Sequence, residues 1–476
     1  MDNIALAGTE AQSECVEVSS GPQPSANGGV LLLARAWAAL GGSERLCQAI
    51  RWQGRAGPLL LFALVALPVL SAKSVCAIAK ACLKPKEPLM QLLSWRDWLN
   101  QRRLARFVAS PRHDWLGVLG AMVGALAHHA ATDSGAEGII AVDSTTVEKR
   151  YGPHLPGIRP VYDAVSQKLV DGYELVSACV VGPKGRYPIG LAPHRKAATA
   201  AERQVCGRRR RKATGGELPS KLDLALGFVT LAVSRGVRAP TVVGDSAFAV
   251  MWWLRELAAL RRHWLVATRQ DRRLRIGAEI QAIRDWAAEA VLTRLETSES
   301  GTSLLGALLP EAVLLDRHCT RKGLPCRPVY FERRNRRGQV SHRWYLVTSQ
   351  LGWDLEEVWR HWSWRWRIEE LHRDGKQLLH LPAFHVRTWE GIVALIACTS
   401  LRASLLAFMR AVDPALAPLS TEGLVTALRE AACLVTPTTA GQVLVEEPPT
   451  LHTQVLWHEH HDPLPSQWWP VIPTAA

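Results

Sequence analysis

The run Trp362-Ser-Trp-Arg-Trp-Arg-Ile-Glu369-Glu-Leu-His-Arg-Asp-Gly-Lys376 constrains this chain more than any other stretch. It places Arg365, Glu369 and Lys376 at spacings of four and seven residues. In an α-helix those spacings bring all three onto one face. A carboxylate set between an Arg and a Lys, among tryptophans, is a poor solvated surface. It suits a helix that holds a cation beside a phosphate, because carboxylates bind hard cations while Arg and Lys bind phosphate oxygens.

Two further acids extend the pattern. Asp143 follows the apolar run Gly138–Val142, and Asp245 follows Pro240–Gly244. Each run predicts a buried strand whose C-terminal end carries one carboxylate. In open α/β sheets that edge is where ligands bind. Asp143, Asp245 and Glu369 together supply enough oxygen for a pair of hard cations. Taken singly, either Asp reads better as a turn or helix cap, and the Arg/Glu/Lys face as a ladder of solvated ion pairs; the three together, in this order on these elements, reverse that preference. Glu370 and Glu174 are alternative third carboxylates, but only Glu369 satisfies both spacings.

The net charge of +14 and a pI near 9.6 suit a polyanionic partner, with nucleic acid the first candidate. Two basic stretches fit that partner: Arg208-Arg209-Arg210-Arg211-Lys212, and the turn Arg333–Arg337. Tryptophan, at 19, far outnumbers Tyr and Phe, and an exposed Trp is a surface on which an unpaired base stacks. The ten cysteines show no CxxC pair, which points to a reducing, cytoplasmic setting. The N-terminus lacks the pattern of a secretion signal. The apolar run Pro58–Leu70 is too short to span a bilayer and is interrupted by a proline, so a buried core helix and no membrane association are expected.

Composition divides the chain into a polar, disordered segment over 1–28, a helical region over 29–134 with basic patches suited to DNA, a strand-rich region over 135–269, an insertion over 270–343, a helical region over 344–440, and a Pro-rich tail over 441–476. The strand-rich region reads as strands near 138–142, 168–181 and 185–191, a helix over 217–235, a strand over 241–245, a helix over 247–260 and a strand over 263–268. A single helix is expected over 354–379. This order predicts an α/β fold, a mixed sheet covered by helices. The cluster His458-Glu-His-His-Asp462 reads as part of a solvated tail.

Asp143-Ser-Thr, Asp245 and the Trp362…Arg365…Glu369…Lys376 helix resemble the DDE transposases of bacterial insertion sequences, in particular the insertion-sequence-four family. That family's signature is Tyr-x2-Arg-x3-Glu-x6-Lys; here Trp362 stands at the Tyr position. The resemblance covers roughly residues 136–400. It implies a ribonuclease H-like mixed sheet with a β-rich insertion and a helical N-terminal domain. It implies two Mg²⁺ (or Mn²⁺) ions held by Asp143, Asp245 and Glu369, and double-stranded DNA as substrate, met as terminal inverted repeats and target. It also implies that Trp362, Arg365 and Lys376 contact the transposon end and that two copies meet on DNA. An indole donates a hydrogen bond but accepts none, so the Trp leaves phosphate contact and base stacking both open. Two other functions share the fold: a nuclease without strand transfer, and an inactive relative that only binds DNA.

Overall fold

The computed structural model describes residues 21, 23–52, 56–70, 77–78, 100–149, 155–195, 219–297, 301–316, 323–383, 386–437, 443–447 and 453. The chain forms two units, residues 1–113 with 412–476, and residues 114–411. In the first unit the chain begins with strand β1 (Gln23–Ser25), α1 (Gly28–Ala39), α2 (Gly57–Val65) and α3 (Gln101–Val108). Leu59 to Val65 of α2 are all buried, as expected of the apolar run.

The second unit opens with α4 (Trp115–His128), capped by Asp114, whose carboxylate accepts from Gly117 N at 2.8 Å. There follow β2 (Ile139–Glu148), β3 (Arg159–Asp163), β4 (Lys168–Gly182), β5 (Gly185–His194), α5 (Lys221–Ser234), β6 (Thr241–Gly244), α6 (Met251–Ala259) and β7 (His263–Ala267). Ser220 and Asp223 close a capping box on α5. The next stretch forms β8 (Arg273–Ile276), β9 (Glu279–Ala282), α7 (Ile283–Ala288), β10 (Thr293–Thr297), β11 (Ser303–Leu308), β12 (Ala312–Leu314), β13 (Leu324–Arg334) and β14 (Val340–Thr348). Three helices end the unit: α8 (Leu355–Trp364), α9 (Trp366–Gln377) and α10 (Trp389–Val412).

Among the described residues these strands form one 13-stranded sheet in the order β3-β4-β2-β6-β7-β14-β13-β12-β8-β9, with β5 on β4 and the β10–β11 pair on β13. β2 runs parallel to β6 and antiparallel to β4. Its apolar residues Ile139 to Val142 are fully buried because helices cover both faces of a parallel centre. The fold is the expected ribonuclease H-like one, a mixed α/β sheet flanked by helices. One core cluster includes Ile139 and Ala141 of β2, Val243 of β6, Leu304, Val329 and Phe331 of β11 and β13, and Trp362, Ile368 and Leu371 of α8 and α9. By length and composition α10 is apolar enough to cross a membrane, but 83% of its most apolar window is buried inside the protein.

Back in the first unit, α11 (Thr421–Glu430) is followed by β15 (Cys433–Pro437) and β16 (Val443–Glu447), and β15 pairs with both β1 and β16. A Cβ on Gly29 would lie 2.0 Å from the carbonyl oxygen of Leu428, so only glycine lets α1 approach α11 this closely.

Several sequence expectations are corrected. Residues 23–25 form β1; residues 1–20 of the expected disordered segment, and nearly all of the tail, lie outside the described residues. β3 was not foreseen. Asp143 does not end its strand: Ser144 to Glu148 continue the pairing with β4, because Thr and Val favour extended backbone. Within the stretch over 270–343, residues 279–282 form β9 directly before α7. The helix expected over 354–379 is two helices meeting at Arg365, where the bonds Arg365 N to Trp362 O and Ile368 N to Arg365 O tighten the turn. Helix α4 packs on β5 and α5, Gly120 allowing Leu231 and Arg235 to approach.

Candidate active site

Strand register brings the first two acids together. β2 and β6 pair in parallel from Ile139↔Thr241 to Val142↔Gly244. Carried one residue further, the register sets Asp143 beside Asp245, where β6 ends and β2 goes on. Asp143 Oδ1 accepts from Ser144 N at 2.7 Å, and Asp245 caps a short 3₁₀ turn by accepting from Ala247 N at 2.9 Å. Each thus uses one oxygen in a local bond to backbone and keeps a second oxygen for other work.

Helix α9 supplies the third acid. It lies against β2 and β4 and carries Glu369 in its first turn, with the side chain 41% exposed. Arg365, at the break between α8 and α9, stands between the acids: Nη1 is 3.6 Å from Asp143 Oδ2, and Nη2 is 3.2 Å from Glu369 Oε1. The Asp143 carboxyl is pushed up to about 6. Burial is the main cause. The Ser144 N–H and Arg365 pull it down, while the charges of Asp245 and Glu369 push it up further. The three acids thus lie within electrostatic reach of one another.

Tryptophans frame this arrangement. The Arg365 guanidinium lies 4.9 Å from the ring centre of Trp362 and 5.1 Å from that of Trp366. Trp362 is 3% exposed and belongs to the core cluster, so its ring presents no open face to a base. What it retains is an indole N–H. Neither Trp362 Nε1 nor Arg365 Nε has a hydrogen-bond partner among the described residues. Trp366 is 49% exposed, whereas Trp353, Trp359 and Trp364 pack partly buried against the core. Lys376, two turns beyond Glu369, is half-buried; burial lowers its ammonium pKa, and Asp163 at the end of β3 opposes that shift.

The rival carboxylates are engaged elsewhere. Glu370 pairs with Arg186 of β5, which also binds Asp374 at 2.8 Å. Glu174 is held by Arg159, His194 and Lys221. Arg208, Arg209, Arg210, Arg211 and Lys212 lie outside the described residues, as do His458 to Asp462.

A family model described as a DDE superfamily endonuclease matches residues 46–284, half of the chain, and spans Asp143 and Asp245. The chain belongs to the DDE superfamily of endonucleases. A second family model, a transposase DDE domain, matches residues 222–404 and spans Asp245, Glu369 and Lys376. Together they support a DDE transposase, a transposase-like nuclease whose substrate is DNA. No curated protein matches the chain.

Enzymes of the DDE superfamily work with divalent metals, and the donor set here fits such an ion. The acids are hard oxygen ligands, and the central one is raised by burial and by two like charges, a cost that a cation relieves. As placed, no three His, Cys, Asp or Glu side chains among the described residues close to cation-holding distance; Arg365 is the positive charge between them.

Sequence reasoning missed three residues around the site. Asp163 faces Lys376. Ser177 is the cross-strand neighbour of Asp143. His372 is buried between Glu369 and Lys376 on α9, and burial lowers its imidazole to about 3, so it is neutral. His372 was within reach of the sequence, since it lies three residues after Glu369 and four before Lys376, on the same helical face.

Proposed function

We propose that this chain is a DNA transposase that cuts the ends of its own insertion sequence and joins them to target DNA. The observation that carries the reading is that Arg365 bridges Asp143 and Glu369, while strand register sets Asp245 beside Asp143. In this reading Asp143, Asp245 and Glu369 hold two Mg²⁺ or Mn²⁺ ions. When bound, such ions lower the pKa of an attacking water or 3′-hydroxyl and stabilise a leaving oxygen.

The protein's own groups position the DNA. Arg365 Nε and the Trp362 indole N–H are buried donors with no hydrogen-bond partner among the described residues, and in this reading Arg365 turns to a phosphate of the transposon end. Lys376 adds a second cation to that backbone contact. Trp366, open to solvent beside Glu369, offers a ring face to an unpaired base. Arg208 to Lys212 contribute salt-dependent contacts to the duplex. The reaction is cytoplasmic, with two copies bringing two ends together on DNA.

The test is incubation of the full chain with linear DNA carrying the element's terminal repeats, a target plasmid and Mg²⁺. Joined strands are expected, and Asp143→Ala or Glu369→Ala should abolish them. Cut ends without joining would leave a nuclease, binding without cutting an inactive relative, and unchanged cleavage by either variant would remove the site assignment altogether.

A further inference from the structure

The carboxylates sit on separate elements, and besides the Arg365–Asp143 and Arg186–Asp374 pairs a buried side-chain chain ties those elements together. Ser177 of β4 is directly opposite Asp143 of β2 and is fully buried. Its Oγ donates to the Asp143 carbonyl oxygen at 3.3 Å. The same Oγ lies 2.6 Å from Nε2 of His372, itself 6% exposed. With the hydroxyl hydrogen directed to the carbonyl, the Ser177 lone pair accepts Nε2–H of His372. His372 stands one turn from Glu369 on α9. The chain from His372 through Ser177 to Asp143 therefore links the helix that carries one acid to the strand residue that is another.

Apolar packing alone would leave α9 able to slide or rotate by fractions of an ångström over β2 and β4. Directional bonds between buried polar groups do not tolerate that slip, since breaking one strands a polar atom in the core. We infer that His372 and Ser177 are a positioning pair that sets Asp143 against Glu369 for cation binding. This rests on the reading above that these carboxylates hold metal. Outer partners of metal-binding groups typically change affinity by about 10- to 100-fold when removed.

The experiment is Mn²⁺ binding to the full chain by calorimetry, with DNA cleavage kinetics alongside. His372→Met and Ser177→Ala should each weaken Mn²⁺ binding about tenfold and lower kcat with KM for DNA unchanged. The double variant should be no worse than the poorer single one, because both break the same chain. His372→Gln retains a terminal N–H donor and should recover most of the lost affinity. Unchanged affinity in Ser177→Ala, additive losses, or no rescue by Gln would overturn the inference. Ser177→Ala removes a single oxygen, so it decides the matter even if His372→Met fails to fold. Asp143→Asn separates the two levels: if it leaves Mn²⁺ binding intact, the metal reading itself falls and this inference with it.

Discussion

Arg365 lies 3.6 Å from Asp143 across the boundary between helix and sheet, at the one residue that separates α8 from α9. Its second terminal nitrogen reaches Glu369. A buried guanidinium between two acids is a counter-ion that holds like charges together until cations and phosphate take over. Arg365→Met should therefore reduce cleavage about 100-fold or more, as loss of a buried charged contact does. It should also destabilise the fold by roughly 3–5 kcal/mol, the range for a buried ion pair that loses one partner. Thermal melting in the presence of a chelator, beside cleavage assays, checks both; an unchanged melting temperature would contradict this geometry.

Adjacent glutamates should behave in opposite ways. Glu369→Gln should lose cleavage and keep its stability, since the side chain is 41% exposed. Glu370→Gln should keep cleavage, because Glu370 bonds Arg186 rather than facing the other acids. The buried member of that network is Asp374, at 8% exposure; Asp374→Ala should cost about 3 kcal/mol or more, seen as a lower urea midpoint.

The tryptophans divide in the same manner. Trp362→Ala opens a cavity in the core and should cost about 3–5 kcal/mol. Trp366→Ala removes a half-exposed ring and should leave the melting temperature within about 1 °C. DNA affinity should fall about tenfold in Trp366→Ala, as expected for one lost stacked base. Equal melting temperatures for the two variants would contradict the burial described here.

Acid should unfold the strand region through Glu174. Burial alone would raise its carboxyl, but His194 and Lys221 outweigh that and hold it at about 2, against 4.5 for an ordinary Glu. A depressed carboxylate contributes stability that is complete above about 4.5 and disappears as pH falls through about 2. Glu174→Gln should therefore cost on the order of 2 kcal/mol at pH 7, with the gap to the parent closing between pH 4.5 and 2. Melts across that range measure it.

Much of the sheet was legible because its centre is apolar on both faces; Ile139–Val142, Thr241–Gly244 and His263–Ala267 announce themselves by composition. The acids were legible through position, at the ends of such runs and on a helical spacing. The break at Arg365 was not. No Gly or Pro stands between residues 354 and 374 to announce a break, and the Arg365 contact with Asp143 that accompanies it is with a residue far away in the chain. β3 was missed for a related reason: Arg159–Asp163 is short and only partly buried, and it is extended because β4 offers it a free edge. Ser177 carries no signal of its own, since a serine in a strand becomes informative only when its cross-strand neighbour is known.

The strands β7 and β14, which flank the stretch over 270–343, pair with each other from Leu346↔Ala267 to Thr348↔Leu265. By backbone geometry alone the stretch looks excisable, since a short connection would join two neighbouring strands. The packing argues otherwise: Leu304, Val329 and Phe331 from inside it share one cluster with Trp362 and Ile368, on either side of Arg365. Replacing residues 270–340 by a short turn should thus expose the back of the Trp362 ring and loosen the site from behind, which bound hydrophobic dye and a lower melting temperature would reveal. A shortened chain that stayed fully folded would mark the stretch as a true accessory module. The architecture described here makes it a structural wall of the site.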